Sequence, residues 1–192
     1  MAEYSFVTIW RIDAPIEKVW NALRDFKRMP SWWKYVQSVV ELEAGDENGV
    51  GSLVRIVWTS ALPYKLRFDT RTTRAQKPRL IELDAMGELN GTGRWQLSEE
   101  DGVTVVRYDW NVSTTKRWMN LLAPLLRPVF EWNHDILMNE GGRSLARLLN
   151  ARLLNEPEQK TNGLPRALGG LAAATGAITV AYMLWVSRRK RK

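Results

Sequence analysis

Few residues of this 192-residue chain have side chains suited to acid–base chemistry near neutral pH. His134 is the single histidine, and imidazole is the one side chain that ordinarily titrates in that range. Asp135 beside it, or Asp109 in a strand-like run, could supply a second proton-transferring group. His134 and Asp109 are therefore the candidate catalytic residues. The competing interpretation of His134 is a surface histidine, or one whose polar atoms are satisfied in the core.

Composition excludes thiol chemistry and the commonest metal sites. The chain has no cysteine, so it can form no disulfide and offers neither a thiolate ligand nor a cysteine nucleophile. The single histidine excludes a multi-histidine metal site. We therefore predict no metal and no cofactor.

Ten tryptophans are the unusual feature of the composition. Trp is large and rigid, and its indole N–H needs a partner when it is buried. Such side chains either fill a core or line an apolar cleft, and ligand sites are mostly apolar with a few polar anchors. The residues that we expect to line such a cleft are Trp33, Trp58, Phe68, Trp95, Trp110, Trp132 and Ile136.

Several arginines in strand-like runs could hold a ligand carboxylate or phosphate through a forked contact. The alternative is a solvated face on which they pair with acids such as Asp109. These arginines are Arg55, Arg67, Arg71, Arg94 and Arg107.

The basic excess of the chain belongs to its last segment. The formal net charge is +7, from 28 Lys+Arg and 21 Asp+Glu. Residues 155–192 hold seven basic and two acidic side chains, which leaves 21 against 19, or +2, for residues 1–154. A nucleic-acid-binding surface needs basic charge clustered on one face, so none is predicted for the body.

The elements that must position these residues follow from hydrophobic periodicity. Residues 4–13 alternate like a strand, and Pro15 then opens a helix with an apolar stripe. A second short helix is predicted over residues 25–33. Six further strand-like runs with hairpin-length gaps predict an antiparallel meander. They cover residues 36–43, 51–60, 64–75, 79–88, 92–98 and 103–113, and the strongest turn signals are Asn90-Gly91 and Asp101-Gly102.

The helical period returns after Thr115. Pro124 and Pro128 are predicted to break a first apolar segment, so that one long helix runs from Pro128 to about Leu154. Gly141-Gly142 interrupts that helix. The glycines either allow close packing of helix on sheet or let a ligand approach the backbone.

Residues after the body suggest a membrane attachment. Residues 155–166 form a polar linker with Pro and Gly, residues 167–187 are apolar, and residues 188–192 are a basic tail. The twenty uncharged residues 167–186 would span roughly 30 Å as a helix. We predict a helix that crosses the membrane, or one that lies shallow with its basic end on anionic head groups. A helix packed on protein is the alternative.

The two ends of the chain carry further expectations. Small residues recur every fourth position in the apolar segment, which would permit a homodimer in the bilayer or merely reflect low bulk: Gly169, Ala173, Ala177 and Ala181. The N-terminus shows no features of a signal peptide, so the body is expected in the cytoplasm.

The order of strand, two short helices, six-strand meander and long helix is that of an α+β helix-grip fold. Residues 4–154 resemble the polyketide cyclase/dehydrase-like and lipid-transport-like branch of the SRPBCC (START-like) superfamily. The segments that carry the resemblance are Trp10-Arg-Ile-Asp-Ala-Pro15-Ile-Glu-Lys-Val-Trp20, Leu23-Arg-Asp25-Phe, Met29-Pro-Ser-Trp32-Trp33 and Trp132-Asn-His134-Asp-Ile-Leu-Met-Asn-Glu-Gly141-Gly142. The resemblance implies a curved antiparallel sheet of about seven strands around the C-terminal helix, with a deep apolar pocket between them. It also implies binding of lipids, sterols, quinones or polyketides, which some members cyclise or dehydrate.

Three functional hypotheses remain open. The first is a membrane-tethered carrier or binding protein for a hydrophobic small molecule. The second is a cyclase or dehydratase that uses the same cavity, with His134 or Asp109 moving protons. The third is a nonenzymatic interaction or stress-related membrane protein whose cavity is closed by tryptophans.

Overall fold

The computed structural model describes residues 2–61 and 64–154, except for the side chains of residues 118, 119 and 122–126. The described elements all belong to one unit, Met1–Pro157. The linker, the apolar segment over 167–187 with its small-residue stripe, and the basic tail lie outside the described residues. Within the described ranges, no helix combines the length and apolar character that a bilayer span requires.

Seven antiparallel strands form one curved sheet in the order β1-β7-β6-β5-β4-β3-β2. Strands β2 to β7 are a meander, and β1 joins the far side by pairing with β7, so β1 and β2 are the edges. This confirms the predicted sheet. The bounds are β1 Glu3–Ile12, β2 Val36–Glu43, β3 Leu53–Thr59, β4 Lys65–Gln76, β5 Leu80–Gly87, β6 Leu89–Glu100 and β7 Val103–Thr114.

The helical elements lie between β1 and β2 and after β7. Helix α1 (Ile16–Arg24) follows β1, and it is followed by a 3-10 turn over Phe26–Arg28 and the single-turn helix α2 (Met29–Trp32). The long helix α3 spans Arg117–Leu148. Apolar residues at helical spacing turn one face of α1 into the core, as the sequence predicts: Ile16, Val19, Trp20 and Leu23.

One of the two strong turn signals is correct and the other is wrong. Asp101-Gly102 forms the β6–β7 turn, with φ of 51° and 78°, values that suit a tight hairpin. Asn90-Gly91 instead lies inside β6, and the chain turns at Gly87 and Glu88. The Asn90 side chain explains the shift, because its Oδ1 accepts a hydrogen bond from the Gly87 N–H at 2.9 Å.

Helix α3 begins earlier than predicted, because it continues through Pro124 and Pro128. Each proline removes one helical hydrogen bond, but its fixed φ near −65° is a helical value. The start of the helix is tied to the sheet through Asn120. Its Nδ2 donates to the Thr114 carbonyl at 2.9 Å, and its Oδ1 accepts from the Ala2 N–H at 2.6 Å.

After α3 the chain returns to the edge of the sheet. Leu153 forms an antiparallel bridge with Ile12, and the Leu154 N–H donates to the Arg11 carbonyl at 2.8 Å. Both ends of α3 are therefore anchored to β1 or β7. The helix covers one face of the sheet, the inner face, and the strands bury alternate side chains there.

Candidate functional site

Seven aromatic side chains form a closed circuit on the inner face of the sheet, each packed against two others. The distances between successive ring centroids run from 3.8 to 6.0 Å. Such distances, in stacked, tilted and edge-on arrangements, are those of stabilising aromatic pairs. In order, the members of this aromatic circuit are Trp33, Trp10, Trp95, Tyr108, Trp110, Phe68 and Trp58, which closes on Trp33.

Five of the seven residues that were predicted to line a cleft meet in this circuit. The other two, Trp132 and Ile136, are half-buried on α3, while Leu137 and Met138 occupy its buried side. Trp10 and Tyr108 are members of the circuit that were not predicted from the sequence. Strand alternation could have predicted Tyr108, because it is two residues before Trp110 and therefore shares its face.

The rings of the circuit contact one another, so they occupy much of the space that they were expected to line. Trp33 and Trp95 are almost fully buried. The Trp33 indole N–H donates to the Leu137 carbonyl at 3.1 Å, which ties the circuit to α3. Trp58 differs, because it is half-buried and its indole N–H has no partner among the described residues. It is the member best placed to move or to meet a ligand.

The glycine pair in α3 lies directly against the circuit. A Cβ at Gly141 would overlap the ring of Trp33, and a Cβ at Gly142 would come within 2.9 Å of the Trp10 ring. Of the two roles considered for Gly141-Gly142, this geometry supports close packing. The missing side chains let the helix backbone rest on two indole rings.

A second aromatic group joins β1 to α3 beside the circuit. Phe6 stacks on His134 with 3.8 Å between ring centroids, and Tyr4 packs edge-on against Phe130 at 6.1 Å. We call these four residues the seam. The Tyr4 hydroxyl and both ring nitrogens of His134 are buried and have no hydrogen-bond partner within the described part of the chain.

Neither carboxylate considered beside His134 forms a hydrogen bond with it. Asp109 lies on the outer face of the sheet, where Arg107 donates to both its oxygens at 2.7–3.1 Å. Asp135 has its Oδ1 3.9 Å from His134 Nδ1, and its side chain is 67% exposed. No group of three or more side chains suited to metal binding occurs among the residues described.

Asn133 is a polar residue of the buried helix face that the sequence analysis missed. Its Oδ1 accepts hydrogen bonds from the Ser60 hydroxyl at 2.7 Å and the Ala61 N–H at 3.1 Å. Its Nδ2 donates to the Tyr64 hydroxyl at 3.4 Å. Helical spacing would have placed it on the side of Phe130 and Leu137, and its contacts hold the connection after β3 against α3.

The outer face of the sheet carries most of the candidate arginines in ion pairs. Cross-strand contacts join Arg55 to Asp69 at 2.8 Å and Arg94 to Glu82 at 3.2 Å. Arg71 pairs with Glu43, Arg107 pairs with Asp109, and Arg67 is exposed. An open, polar groove of about 670 Å³ runs along this face. Its acids already neutralise its arginines, so it lacks the unpaired cation that binding an anion would require.

Burial of the circuit predicts a loss of stability in alkali. Burial raises the pKa of Tyr108 well above its usual 10.0, so above pH 10 only the unfolded chain ionises at this residue. Stability from this group is complete below pH 10 and falls above it, by up to about 1.4 kcal/mol per pH unit. Urea unfolding between pH 8 and 11 should show the decline. The decline of stability with pH should be smaller in Tyr108→Phe. The same decline in that variant as in the wild type would exclude Tyr108 as its cause.

One family model matches most of the described part of the chain. The family model described as polyketide cyclase / dehydrase and lipid transport matches residues 5–148. No curated protein gives a significant match to the chain.

Three solved structures share the fold at low sequence identity. The Zhui aromatase/cyclase from Streptomyces sp. R1128 has a TM-score of 0.61 and 16% identity, over 78% of this chain and 94% of that one. A START superfamily protein from Mycobacterium smegmatis has a TM-score of 0.60 and 12% identity, over 77% of this chain and 97% of that one. The di-domain ARO/CYC BexL has a TM-score of 0.62 and 18% identity, over 78% of this chain and 51% of that one. This chain therefore spans about half the length of BexL.

At these identities the structural likeness shows the fold alone. The family model extends from β1 to the last residue of α3 and so takes in the whole circuit and every seam residue except Tyr4. The chain therefore belongs to the polyketide cyclase / dehydrase and lipid transport family.

Proposed function

We propose that the domain binds a hydrophobic small molecule, lipid-like, quinone-like or polyketide-like, between the inner face of the sheet and α3. The observation that carries this proposal is the aromatic circuit with its half-buried member Trp58. Membership of a lipid-transport and cyclase family supports it. Apolar walls with a few polar groups are typical of small-molecule sites.

Binding would replace ring–ring contacts in the circuit by ring–ligand contacts. Because both kinds of contact bury apolar surface, the exchange need not cost much free energy. The indole N–H groups of Trp10 and Trp58, which are buried and have no partner among the residues that the structure describes, can only donate hydrogen bonds. They would therefore favour a ligand with an oxygen acceptor.

Binding is favoured over catalysis by the surroundings of His134. Acid–base catalysis by His134 together with Asp109 or Asp135 would need that carboxylate within reach of the same substrate atoms as the imidazole. Asp109 lies on the opposite face of the sheet, and Asp135 is exposed. The circuit therefore supports a binding site better than a catalytic pair.

We further propose that residues 167–187 attach the domain to a membrane, where hydrophobic ligands concentrate. The support is the sequence of this segment, with twenty consecutive uncharged residues at 167–186 followed by five basic residues. Attraction to anionic lipids would add about 1 kcal/mol per basic residue near the surface.

Both parts of the proposal can be tested with two proteins, the full chain and a chain that ends at Leu154. Each is expressed, fractionated into membrane and soluble parts, and analysed by native mass spectrometry with extraction of bound compounds. We expect the shorter chain to leave the membrane fraction while both carry the same hydrophobic compound. A full chain found only in the soluble fraction would contradict the attachment. Absence of any bound compound from both proteins would count against the binding site.

A further inference from the structure

We infer that the seam between β1 and α3 binds the polar end of the ligand, and that this end is a neutral oxygen group, a hydroxyl or a carbonyl. The inference rests on the proposed binding function and adds to it the chemical class of the group recognised. Three buried polar atoms carry it, namely the Tyr4 hydroxyl oxygen and the two ring nitrogens of His134.

These atoms belong to two side chains that separate elements hold together. Tyr4 is 6% and His134 is 8% exposed, so neither is solvated as a surface group would be. Buried polar groups in proteins are almost always hydrogen-bonded, because burying one without a partner is unfavourable. Both side chains stack on the Phe6 ring, His134 at 3.8 Å and Tyr4 at 6.0 Å between ring centroids, so their unsatisfied groups lie in one region that a ligand group could share.

The charges around the seam indicate that this partner is uncharged. A cation beside the seam is Arg127, whose guanidinium lies 5.2 Å from the centre of the Tyr4 ring. Arg127 is already engaged, because its Nη2 donates to the Glu3 carbonyl at 2.8 Å and its Nη1 lies 3.8 Å from Glu131. Burial raises the pKa of Tyr4, which keeps its hydroxyl protonated. Arg127 is therefore not available as a counter-charge for a ligand carboxylate or phosphate, and the Asp135 carboxylate, 3.9 Å from His134 Nδ1, would repel such an anion.

The donors and acceptors of the seam suit an oxygen group. A neutral imidazole offers one N–H donor and one nitrogen acceptor, and a phenol hydroxyl can donate and accept. A ligand carbonyl could accept from both His134 and Tyr4. A ligand hydroxyl could accept from one of them and donate to the other.

The seam also lies where the apolar part of such a ligand would reach the circuit. Phe6, which stacks on His134, pairs with Trp110 across the β1–β7 ladder, and both side chains belong to the inner face. Trp110 is a member of the circuit. One molecule could therefore place its apolar body among the indole rings and its polar end in the seam.

The test compares naphthalene, 2-naphthol and 2-naphthoate as probes of the full-length protein, with affinities from shifts of the Trp indole N–H signals in 1H–15N spectra. The variants are Tyr4→Phe and His134→Phe, which keep the aromatic packing, and Tyr35→Phe as a control outside the seam. We expect the wild type to bind 2-naphthol about tenfold more tightly than naphthalene or 2-naphthoate. Either seam variant should reduce that preference to about threefold or less, and the control should retain it.

A second readout separates recognition from packing. Because an unpartnered buried polar group is unfavourable, each seam variant should unfold about 3 °C higher than the wild type without probe. Equal affinities for naphthalene and 2-naphthol, tighter binding of 2-naphthoate, or a preference that survives in both variants would overturn the inference and leave the binding site intact. Binding of none of the three probes would instead count against the proposed function.

Discussion

Gly141→Ala is expected to destabilise the domain by about 3 kcal/mol, since overpacking a core costs this much. At an exposed helix position the same change would stabilise by about 1 kcal/mol, so the sign is diagnostic. The new methyl group would overlap the Trp33 ring, which is 1% exposed. Trp33 is held by its hydrogen bond to Leu137 and by contacts with its neighbours in the circuit.

The measurement is urea unfolding of the wild type, Gly141→Ala, and Asn139→Ala as a control on the half-buried side of the same helix. The control should change stability by less than about 1 kcal/mol. Combining Gly141→Ala with Trp33→Phe should cost less than the sum of the two single changes, because a smaller ring relieves the overlap. Stabilisation by Gly141→Ala would show that Trp33 has room to move, which would favour an open cleft beneath α3.

The faces of the strands were predictable from the sequence wherever large apolar residues mark the phase. Tyr108 and Trp110 both point inward, so Asp109 between them has to face outward. Its pairing with Arg107, two residues away on the same strand, follows from that phase. The hypothesis that Asp109 acts together with His134 did not take into account the two inward-facing residues on either side of Asp109.

Long-range contacts explain what the sequence did not reveal. The chain gives no local sign that Trp33, in the segment after α2, lies beneath Gly141 of α3. That contact depends on how α3 crosses the sheet, and local periodicity does not determine a crossing. The extension of α3 through two prolines is also not apparent from the local sequence. The start of the helix is anchored through Asn120 to Thr114 and Ala2, and Ala2 is distant in sequence.

Substituting two tryptophans of the circuit should separate binding from stability. Trp58→Leu is expected to weaken binding of 2-naphthol at least tenfold, because it removes a stacking surface and an indole N–H that no described residue binds. Trp58 is half-buried, so stability should fall by only about 1–2 kcal/mol. Trp33→Leu should instead act mainly on stability and lower the free energy of unfolding by about 3 kcal/mol or more. The Trp33 ring is fully packed, and its indole N–H is hydrogen-bonded to α3.

Trp32→Leu is the matched control for both changes. Trp32 is also half-buried and stacks on Trp33 at 5.5 Å between centroids, but it lies outside the circuit. Its loss should leave the affinity for 2-naphthol within about twofold, since removal of a contact outside the site has little effect on binding. Equal losses of affinity in Trp32→Leu and Trp58→Leu would mean that the circuit is only core. If Trp58→Leu alone loses affinity, the half-buried indole of Trp58 contacts the ligand. The ligand then replaces the contacts that this indole makes with its neighbours in the circuit.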